Sequence, residues 1–395
     1  MKVLFLVTDD WYFLSHRVGL ARALRDRGDE VVVVTAPGNR VPEIEAEGFR
    51  HLPLAFRRGK ADQPLNMLVL RRLTRIYRAE RPDLCHHVSF LPIFYGALAA
   101  RRAGIEAVIH AVTGLGHAFV DGGAPRRVLR WAVERAYRAA FRRGNPIVLF
   151  QNGDDRAHFV SAGLTDPRSC RVILGSGVPI DRFRPVPEPS RSGAPPVMLH
   201  PSRMLWTKGV GDSIEASRLL FERDVDHKLV LAGRTHASNP RSIPDSTLDA
   251  WQRDGLCSWL GHTDDMPALF ASSAIVTLPS VYREGVPMAL LEAAASARPI
   301  VTTDVPGCRE VVVDGVNGFL VPVHRPDLLA DRLALLIADP DLRARMGRAG
   351  RERAERLFSQ EHVVEQTLAC YAELLEPAAP LPAGTDAPAQ SKSLP

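Results

Sequence analysis

The sequence predicts an α/β protein made of two Rossmann-like, doubly wound parallel-sheet domains that face each other across a cleft. The chain has 395 residues, more than one hydrophobic core normally organises. Short apolar runs alternate with amphipathic helical stretches in both halves, which is the pattern of βαβ units. Between the halves lies 178–196, VPIDRFRPVPEPSRSGAPP, with six prolines and no apolar period. This composition is typical of a linker.

The individual elements follow from the period of the apolar residues. In the first domain, 1–177, we predict strands at 2–8, 30–36, 51–55, 83–88, 106–112, 146–151 and 170–175. The helices of this domain are predicted at 14–28, 65–81, 91–103, 124–143 and 153–163. The second domain, 197–358, has predicted strands at 197–202, 227–233, 257–261, 274–279, 299–303 and 318–322. Residues 325–375 read as almost continuous helix, and the Pro/Ala/Ser-rich tail 378–395 is predicted to be disordered.

The net charge of +5 is unevenly distributed along the chain. Residues 1–184 contain 29 Lys and Arg against 18 Asp and Glu, whereas 185–395 contain 21 against 27. The basic first half indicates an anionic partner, such as lipid headgroups, a pyrophosphate-bearing acceptor or nucleic acid. The alternative is a general bias of composition, because 45 of the 50 basic residues are Arg.

The sequence also indicates a cytoplasmic compartment. The apolar opening, Met1 to Val7, is too short for a signal peptide. No apolar run reaches the roughly 18 residues of a membrane-spanning helix. The five cysteines are scattered and form no CxxC pair, which is typical of a reducing environment and argues against a disulfide framework or a zinc site.

The segment HPSRMLWTKGV, 200–210, predicts an anion pocket. A strand ends near Ser202, and Arg203 and Lys208 flank a short loop before a helix that starts near Gly209. Two cations close to the free N–H groups of a helix start suit a phosphate. The alternative is a pair of solvated loop charges.

A second segment, REGVPMALLEA at 283–293, predicts the other wall of that pocket. Pro287 suits the first position of a helix, so the amides of Val286, Met288 and Ala289 are expected to point outward unpaired. Glu292 can accept two hydrogen bonds from a ribose, and Glu284 lies nearer to whatever the phosphates carry. Alone, this segment reads equally as an ordinary helix start. Combined with Arg203 and Lys208, it describes a nucleotide-diphosphate site.

These residues resemble those of the retaining, family-4 glycosyltransferases of the GT-B fold. The E-x7-E signature of that family is matched by Glu284 and Glu292, and its arginine–lysine pair by Arg203 and Lys208. The segments WLGHTDDMPALFASSAIVTLPS and PIVTTDVPGCREVVVDGVNGFLVP look like the same family. WYFLSHRVGLARALRDRG, RPDLCHHV and VTGLGHAF resemble the branch that extends lipid-linked oligosaccharides. The resemblance covers about 1–375 of the chain.

The resemblance implies a role for each matched residue. Arg203 and Lys208, followed by Gly209, would hold the donor diphosphate. Glu292 would bind the ribose and Glu284 the transferred sugar. The backbone of Gly285, Val286, Pro287 and Met288 would contact sugar hydroxyls and phosphate, and Gly261 and His262 would face the base. His110 would lie beside the sugar, with His117 as a rival; either could instead be a structural histidine. The last helix, 359–377, would cross back onto the first domain.

The resemblance further implies retention at the anomeric carbon with no metal and no cofactor. The acidic pairs Asp154-Asp155 and Asp264-Asp265 each stand at a predicted helix start, where carboxylates cap, so neither is interpreted as a metal site. The loop TDDWYFLSHR after the first strand departs from the family because it lacks the Gly-Gly pair that many members carry. The residues assigned to the acceptor are His16, Arg17, Thr113, Gly114 and His117.

The helix 124–143 carries seven arginines beside Val128, Trp131 and other apolar residues at helical spacing. A cationic amphipathic helix with Trp suits an anionic membrane surface. The same apolar stripe could instead pack on the sheet, and the two interpretations are compatible. The basic segments 56–60 and 71–81 could extend the patch.

We therefore expect a glycosyltransferase that moves a sugar from a nucleotide diphosphate, UDP in the first instance, to a lipid-linked saccharide. It would act at the cytoplasmic face of the cell membrane. A nucleotide-sugar epimerase would need the same donor site but no acceptor surface. A nucleic-acid-binding protein would explain the basic half, but no RRM, KH or aromatic-basic pattern is present. A dehydrogenase is disfavoured because no GxGxxG follows Val7 or Val34.

Overall fold

The computed structural model describes residues 1–56, 66–115, 124–142, 145–188, 194–236 and 239–376. Within these ranges the chain forms two parallel sheets, so the predicted fold class is confirmed. All thirteen predicted strands are present, each within a few residues of its predicted ends. Most are continuous apolar runs buried on both faces, as in β2, where only the first residue is exposed.

The first sheet has seven strands in the order β3-β2-β1-β4-β5-β6-β7. The strands are β1 Lys2–Leu6, β2 Glu30–Thr35, β3 Arg50–Pro53, β4 Leu84–Val88, β5 Val108–Val112, β6 Ile147–Phe150 and β7 Cys170–Val172. The helices are α1 Asp10–His16, α2 Val18–Asp26, α3 Val41–Ala46, α4 Met67–Glu80, α5 Phe90–Ala103, α6 Ala124–Phe141 and α7 Gly153–Ser161. The single helix predicted over 14–28 is wrong. Arg17 leaves the helical region, with φ −128° and ψ −14°, and so separates α1 from α2.

The second sheet has six strands in the order β10-β9-β8-β11-β12-β13. The strands are β8 Val197–Pro201, β9 Lys228–Ala232, β10 Ser258–Trp259, β11 Ile275–Leu278, β12 Ile300–Thr303 and β13 Gly318–Val321. The helices are α8 Val210–Glu222, α9 Asp245–Arg253, α10 Met266–Ser272, α11 Met288–Ala295, α12 Cys308–Val311, α13 Pro326–Ala338, α14 Pro340–Arg353 and α15 Gln360–Leu375. No helix within the described ranges has the length and apolarity needed to cross a membrane.

The almost continuous helix predicted over 325–375 is divided into α13, α14 and α15. The first break lies at Asp339, which caps the start of α14: its side chain accepts a hydrogen bond from the Leu342 amide at 2.8 Å. Pro340 follows as the first residue of that helix. Ser359 caps α15 in the same way, accepting from the His362 amide at 3.2 Å.

Helix α15 packs on the first sheet although it ends the described chain. Val363, Cys370 and Tyr371 belong to the same buried cluster as the apolar residues of β1, β2 and α2. The Tyr371 hydroxyl lies 2.7 Å from His86 Nδ1. The start of the predicted linker is also packed, because Val178 and Phe183 are buried with residues of the second sheet. The domain boundaries at 177, 196 and 358 stay predictions, and the tail 378–395 lies outside the described residues.

Candidate active site

A cavity of about 560 Å³ lies between the carboxyl ends of the two sheets, where parallel α/β folds bind ligands. Its lining brings together ten of the residues singled out from the sequence: His16, Thr113, Gly114, Arg203, Lys208, Glu284, Gly285, Val286, Pro287 and Met288. The first six come from the segments that directly follow β1, β5, β8 and β11, with His16 at the end of α1. Segments more than two hundred residues apart in sequence therefore form one site.

Glu284 is held from two sides. Lys208 Nζ lies 2.5 Å from Glu284 Oε2, and the two side chains are only 12% and 9% exposed. The Ser280 hydroxyl donates a hydrogen bond to the other oxygen, Oε1. Burial lowers the pKa of Lys208, but the Glu284 carboxylate outweighs it, so the pKa of Lys208 is raised and its ammonium is charged. The carboxylate is thus fixed in position, with an ammonium beside it.

Arg203 supplies a second cation to the cavity. Its side chain is exposed, and the guanidinium makes no hydrogen bond or ion pair with any residue that the structure describes. His16, across the cavity, stacks on Tyr12 with ring centroids 4.0 Å apart. Burial, and then neighbouring Arg17, lower the pKa of His16 to about 3, so this imidazole is neutral at pH 7. With Lys208 matched by Glu284, the free charge of Arg203 makes the cavity attractive to an anion.

The helix start at α11 differs from expectation in two details. Pro287 is the N-cap, and the helix begins at Met288, one residue later than predicted. The amide of Val286 is not free, because it donates to Gln151 Oε1 at 3.3 Å. The amides of Met288 and Ala289 are the first two of the helix and line the cavity, so they are the ones that can meet a phosphate.

Four residues predicted to bind the donor lie outside the lining of this cavity. Glu292 is half-buried one turn further along α11, and burial raises the pKa of its carboxyl to about 7. Gly209 has φ 72°, and a Cβ there would lie 1.9 Å from the carbonyl oxygen of Pro279, so its clear role is to let two loops meet. Gly261 and His262 follow β10, with His262 Nε2 3.3 Å from the exposed Asp264.

The predicted position of His110 beside the sugar is corrected by the structure. His110 is buried in the layer between β5 and α6, with Nδ1 3.3 Å from His87 Nδ1 and its ring 5.3 Å from that of Phe141. Burial lowers its pKa to about 3. Its side chain lies on the face of the sheet that α6 covers, so His110 does not line the cavity. His117 lies outside the described residues. Arg17 is buried too: its guanidinium donates to the hydroxyl of Ser176 at 3.1 Å, and it lines a neighbouring small cavity.

No group of three acidic, His or Cys side chains that could hold a metal ion occurs in the described part of the chain. Asp265 caps α10, as predicted, by accepting from the Ala268 amide at 3.1 Å. Asp155 is not the cap of α7; Asn152 is, through the Asp155 amide at 2.8 Å.

Comparison with known proteins agrees with this geometry. One family model, "Glycosyl transferase 4-like", matches residues 2–152, and another, "Glycosyl transferases group 1", matches residues 185–353. The chain belongs to the GT-B glycosyltransferases. A structure of Anabaena Alr3699/HepE in complex with UDP superposes on this glycosyltransferase with a TM-score of 0.77 at 20% identity, covering 94% of this chain and 100% of that one. A complex of the same protein with UDP-glucose gives 0.75 at 21% identity, covering 93% and 99%.

Two relatives match the glycosyltransferase over most of its length. The N,N'-diacetylbacillosaminyl-diphospho-undecaprenol alpha-1,3-N-acetylgalactosaminyltransferase of Campylobacter jejuni is 25% identical, covering 90% of this chain and 96% of the relative. The putative glycosyltransferase EpsD of Bacillus subtilis is 26% identical, covering 95% and 97%.

Several residues of the glycosyltransferase that line or support the cavity were not predicted from the sequence. Ser89, at the end of β4, has φ 74°, which is uncommon for a residue with a side chain and is found at functional sites. Its hydroxyl lies 2.9 Å from that of Thr113, and both residues line the cavity. No sequence pattern predicts a positive φ at a serine. Arg283 and Gln151 also line the cavity, and QNGDD at 151–155 was the available signal for the latter.

Proposed function

We propose that this glycosyltransferase transfers a hexose or an N-acetylhexosamine from UDP to a lipid-linked saccharide, with retention at the anomeric carbon and without a metal ion. The observation that carries the proposal is the cavity wall on which Arg203 and Lys208 stand beside the first amides of α11 and the Glu284 carboxylate. Fixed cations and helix amides suit a diphosphate, and a carboxylate suits sugar hydroxyls.

In the proposed reaction, the bond between the anomeric carbon and the β-phosphate oxygen breaks while the acceptor hydroxyl forms the new bond on the same face. The acceptor proton passes to an oxygen of the departing phosphate. Arg203 and Lys208 stabilise the charge that develops on UDP, and Glu284 positions the sugar. Their contribution is electrostatic and geometric, so none of the three residues has to exchange a proton.

Both substrates are supported by relatives rather than by a bound molecule. The HepE structures are complexes with UDP and UDP-glucose, which favours a UDP donor. The Campylobacter relative is named for a diphospho-undecaprenol saccharide, which favours a lipid-linked acceptor. Burial raises the pKa of Glu292 to about 7. Once ionised, its carboxylate can accept hydrogen bonds from the ribose hydroxyls.

A basic surface with exposed apolar residues on the first domain supports a lipid-linked acceptor. Helix α6 buries Val133, Tyr137 and Phe141 in the core but leaves Trp131 60% exposed, with Arg135 5.1 Å above its ring. Helix α4 leaves Leu68 73% exposed. Both helices pack against α5, and the exposed arginines around these apolar residues are Arg71, Arg72, Arg75, Arg127 and Arg135. Aromatic and basic residues together suit the anionic cytoplasmic face of the cell membrane.

The proposal is tested by a turnover screen with UDP-, GDP- and ADP-sugars in the presence and absence of lipid-linked diphosphate saccharides. We expect a UDP-sugar to be consumed only when an acceptor is present. Glu284→Gln should lower turnover by about 100-fold with a much smaller change in UDP affinity. Glu222→Gln, on the exposed face of α8, is the matched control and should behave as wild type. Normal turnover by Glu284→Gln, or a preference for GDP- or ADP-sugars, would contradict the proposal.

A further inference from the structure

The carboxyl end of β6 reaches across the cleft and binds the loop 283–286, which carries Glu284. Gln151 Oε1 accepts a hydrogen bond from the Val286 amide at 3.3 Å. Asn152 Nδ2 donates to the carbonyl oxygen of Glu284 at 3.2 Å. Arg283 also forms hydrogen bonds with a side chain of the first domain. Every residue of this loop except Gly285 is therefore hydrogen-bonded to a side chain of that domain.

The bond to Arg283 is an ion pair with a buried carboxylate. Arg283 Nη2 lies 3.0 Å and Nε 3.3 Å from Asp155 Oδ1. Asp155 has no exposed surface, whereas Arg283 is 35% exposed on its side chain. The second oxygen of Asp155 accepts from Asn152 Nδ2 at 3.1 Å. Asp155 and Asn152 therefore form one unit that faces the loop.

The backbone of Gly285 packs closely against the first domain. A Cβ at Gly285 would lie 2.0 Å from Gln151 Oε1 and 2.9 Å from the Thr113 carbonyl oxygen. On the opposite side, Gly114 has φ 109°, and a Cβ there would lie 2.7 Å from the Gly285 nitrogen. Neither contact has room for a methyl group, so the loop and the first domain meet in one arrangement.

We propose that Gln151, Asn152 and Asp155 are positioning residues that set the geometry of Glu284 from the opposite domain. The inference rests on the proposed role of Glu284 toward the transferred sugar. The donor cations Arg203 and Lys208 belong to the second domain alone, so the diphosphate can bind without these contacts. The sugar-binding loop reaches its final geometry only when the two domains touch. Donor binding and sugar positioning are thereby separate steps.

A purely structural role for the same contacts would give a different result. If the contacts only stabilised the fold, their loss would lower the unfolding temperature and affect all kinetic constants together. Positioning instead predicts a fall in kcat with donor affinity retained, and a local loosening of the loop.

The test compares Asp155→Asn with Asp154→Asn. The control is the neighbouring carboxylate, which also contacts the second domain, through Arg309 at 3.4 Å, but has a side chain that is 38% exposed. We expect Asp155→Asn to lower kcat by about 100-fold, because a displacement near 1 Å has effects of that size, while the Kd for UDP changes less than about threefold. Asp154→Asn should match wild type in both quantities.

Amide hydrogen exchange of the free enzyme supplies a readout that does not depend on activity. The peptide spanning 283–289 should exchange faster in Asp155→Asn than in wild type, and peptides from β1 and β8 should be unchanged. Arg283→Gln removes the same ion pair from the other side. The double variant should be no slower in turnover than the slower single variant, since both changes break one interaction.

The outcomes separate this inference from the proposed function. Unchanged exchange over 283–289 in both single variants, or an equal fall in kcat in Asp154→Asn, overturns the inference. If wild type turns over no UDP-sugar while the exchange still accelerates, the contacts stand and the proposed function fails.

Discussion

Removing the amine of Lys208 perturbs the most tightly coupled pair in the site. Lys208→Ala leaves the Glu284 carboxylate buried with the Ser280 hydroxyl as its remaining side-chain partner. Losing one member of a buried ion pair costs about 3–5 kcal/mol. Both side chains are almost fully buried, so solvent screening does not reduce this figure much. At about 2–4 °C per kcal/mol for a domain of this size, Tm should fall by roughly 6–20 °C.

The same substitution should weaken UDP binding. A hydrogen bond to a charged group contributes about 1.5–3 kcal/mol, which corresponds to roughly 10- to 100-fold in Kd. Arg203→Ala is the matched control because this guanidinium is exposed and has no partner among the described residues. It should lose UDP affinity to a similar degree while Tm changes by less than about 2 °C.

A third variant separates charge from shape. Lys208→Met combined with Glu284→Gln removes both charges, so most of the lost Tm should return while UDP affinity stays low. Differential scanning calorimetry and isothermal titration with UDP provide the two measurements. An unchanged Tm in Lys208→Ala would refute the buried-pair argument. Unchanged UDP affinity in both Lys208→Ala and Arg203→Ala would refute the diphosphate pocket.

Two further predictions concern Glu292 and the surface of α6. If only the ionised Glu292 binds ribose, the affinity for a UDP-hexose should fall about tenfold from pH 8 to pH 6, because burial raises the pKa to about 7. A UDP-hexose is used because it lacks the terminal phosphate proton that titrates near pH 6. Because the pKa of Glu292 is higher in the folded chain than in the unfolded chain, its carboxyl favours folding fully below about pH 4.5, and this contribution is lost as pH rises through about 7. Glu292→Gln should therefore raise Tm more at pH 8 than at pH 5. A flat affinity profile in wild type would contradict this role. For α6, Trp131→Ser with Arg135→Glu should weaken co-sedimentation with phosphatidylglycerol vesicles about tenfold at low salt. Arg253→Glu, on α9 of the second domain, is the control, and equal binding by both variants would argue against the α6 surface.

The strands were predictable because the central strands of a parallel sheet are buried on both faces, so their apolar runs are continuous and read without tertiary information. The ends of the helices were harder to predict from the sequence. The break at Arg17 depends on where its side chain goes, namely to Ser176. The breaks near 339 and 359 carried cap residues, Asp339 and Ser359, that an amphipathic pattern alone passes over.

Within the site, the convergence of residues that follow a strand in the same βα unit could be predicted from the sequence. Arg203, Lys208 and Glu284 are adjacent to β8 and β11, which neighbour each other in the sheet, so their convergence follows from parallel topology. The orientation of His110 could not be predicted because β5 is buried on both faces, so its sequence does not show which face of the sheet each side chain is on.

The sequence by itself determined the two α/β domains and the cation and carboxylate motifs of the donor side, because each is local to one strand and the turn after it. Only the tertiary structure decided that Gln151 occupies the Val286 amide and that Asp155 pairs with Arg283. These bonds join residues 135 and 128 positions apart in different domains. Their formation depends on how two separately folded surfaces meet, and no periodicity within either segment encodes that contact.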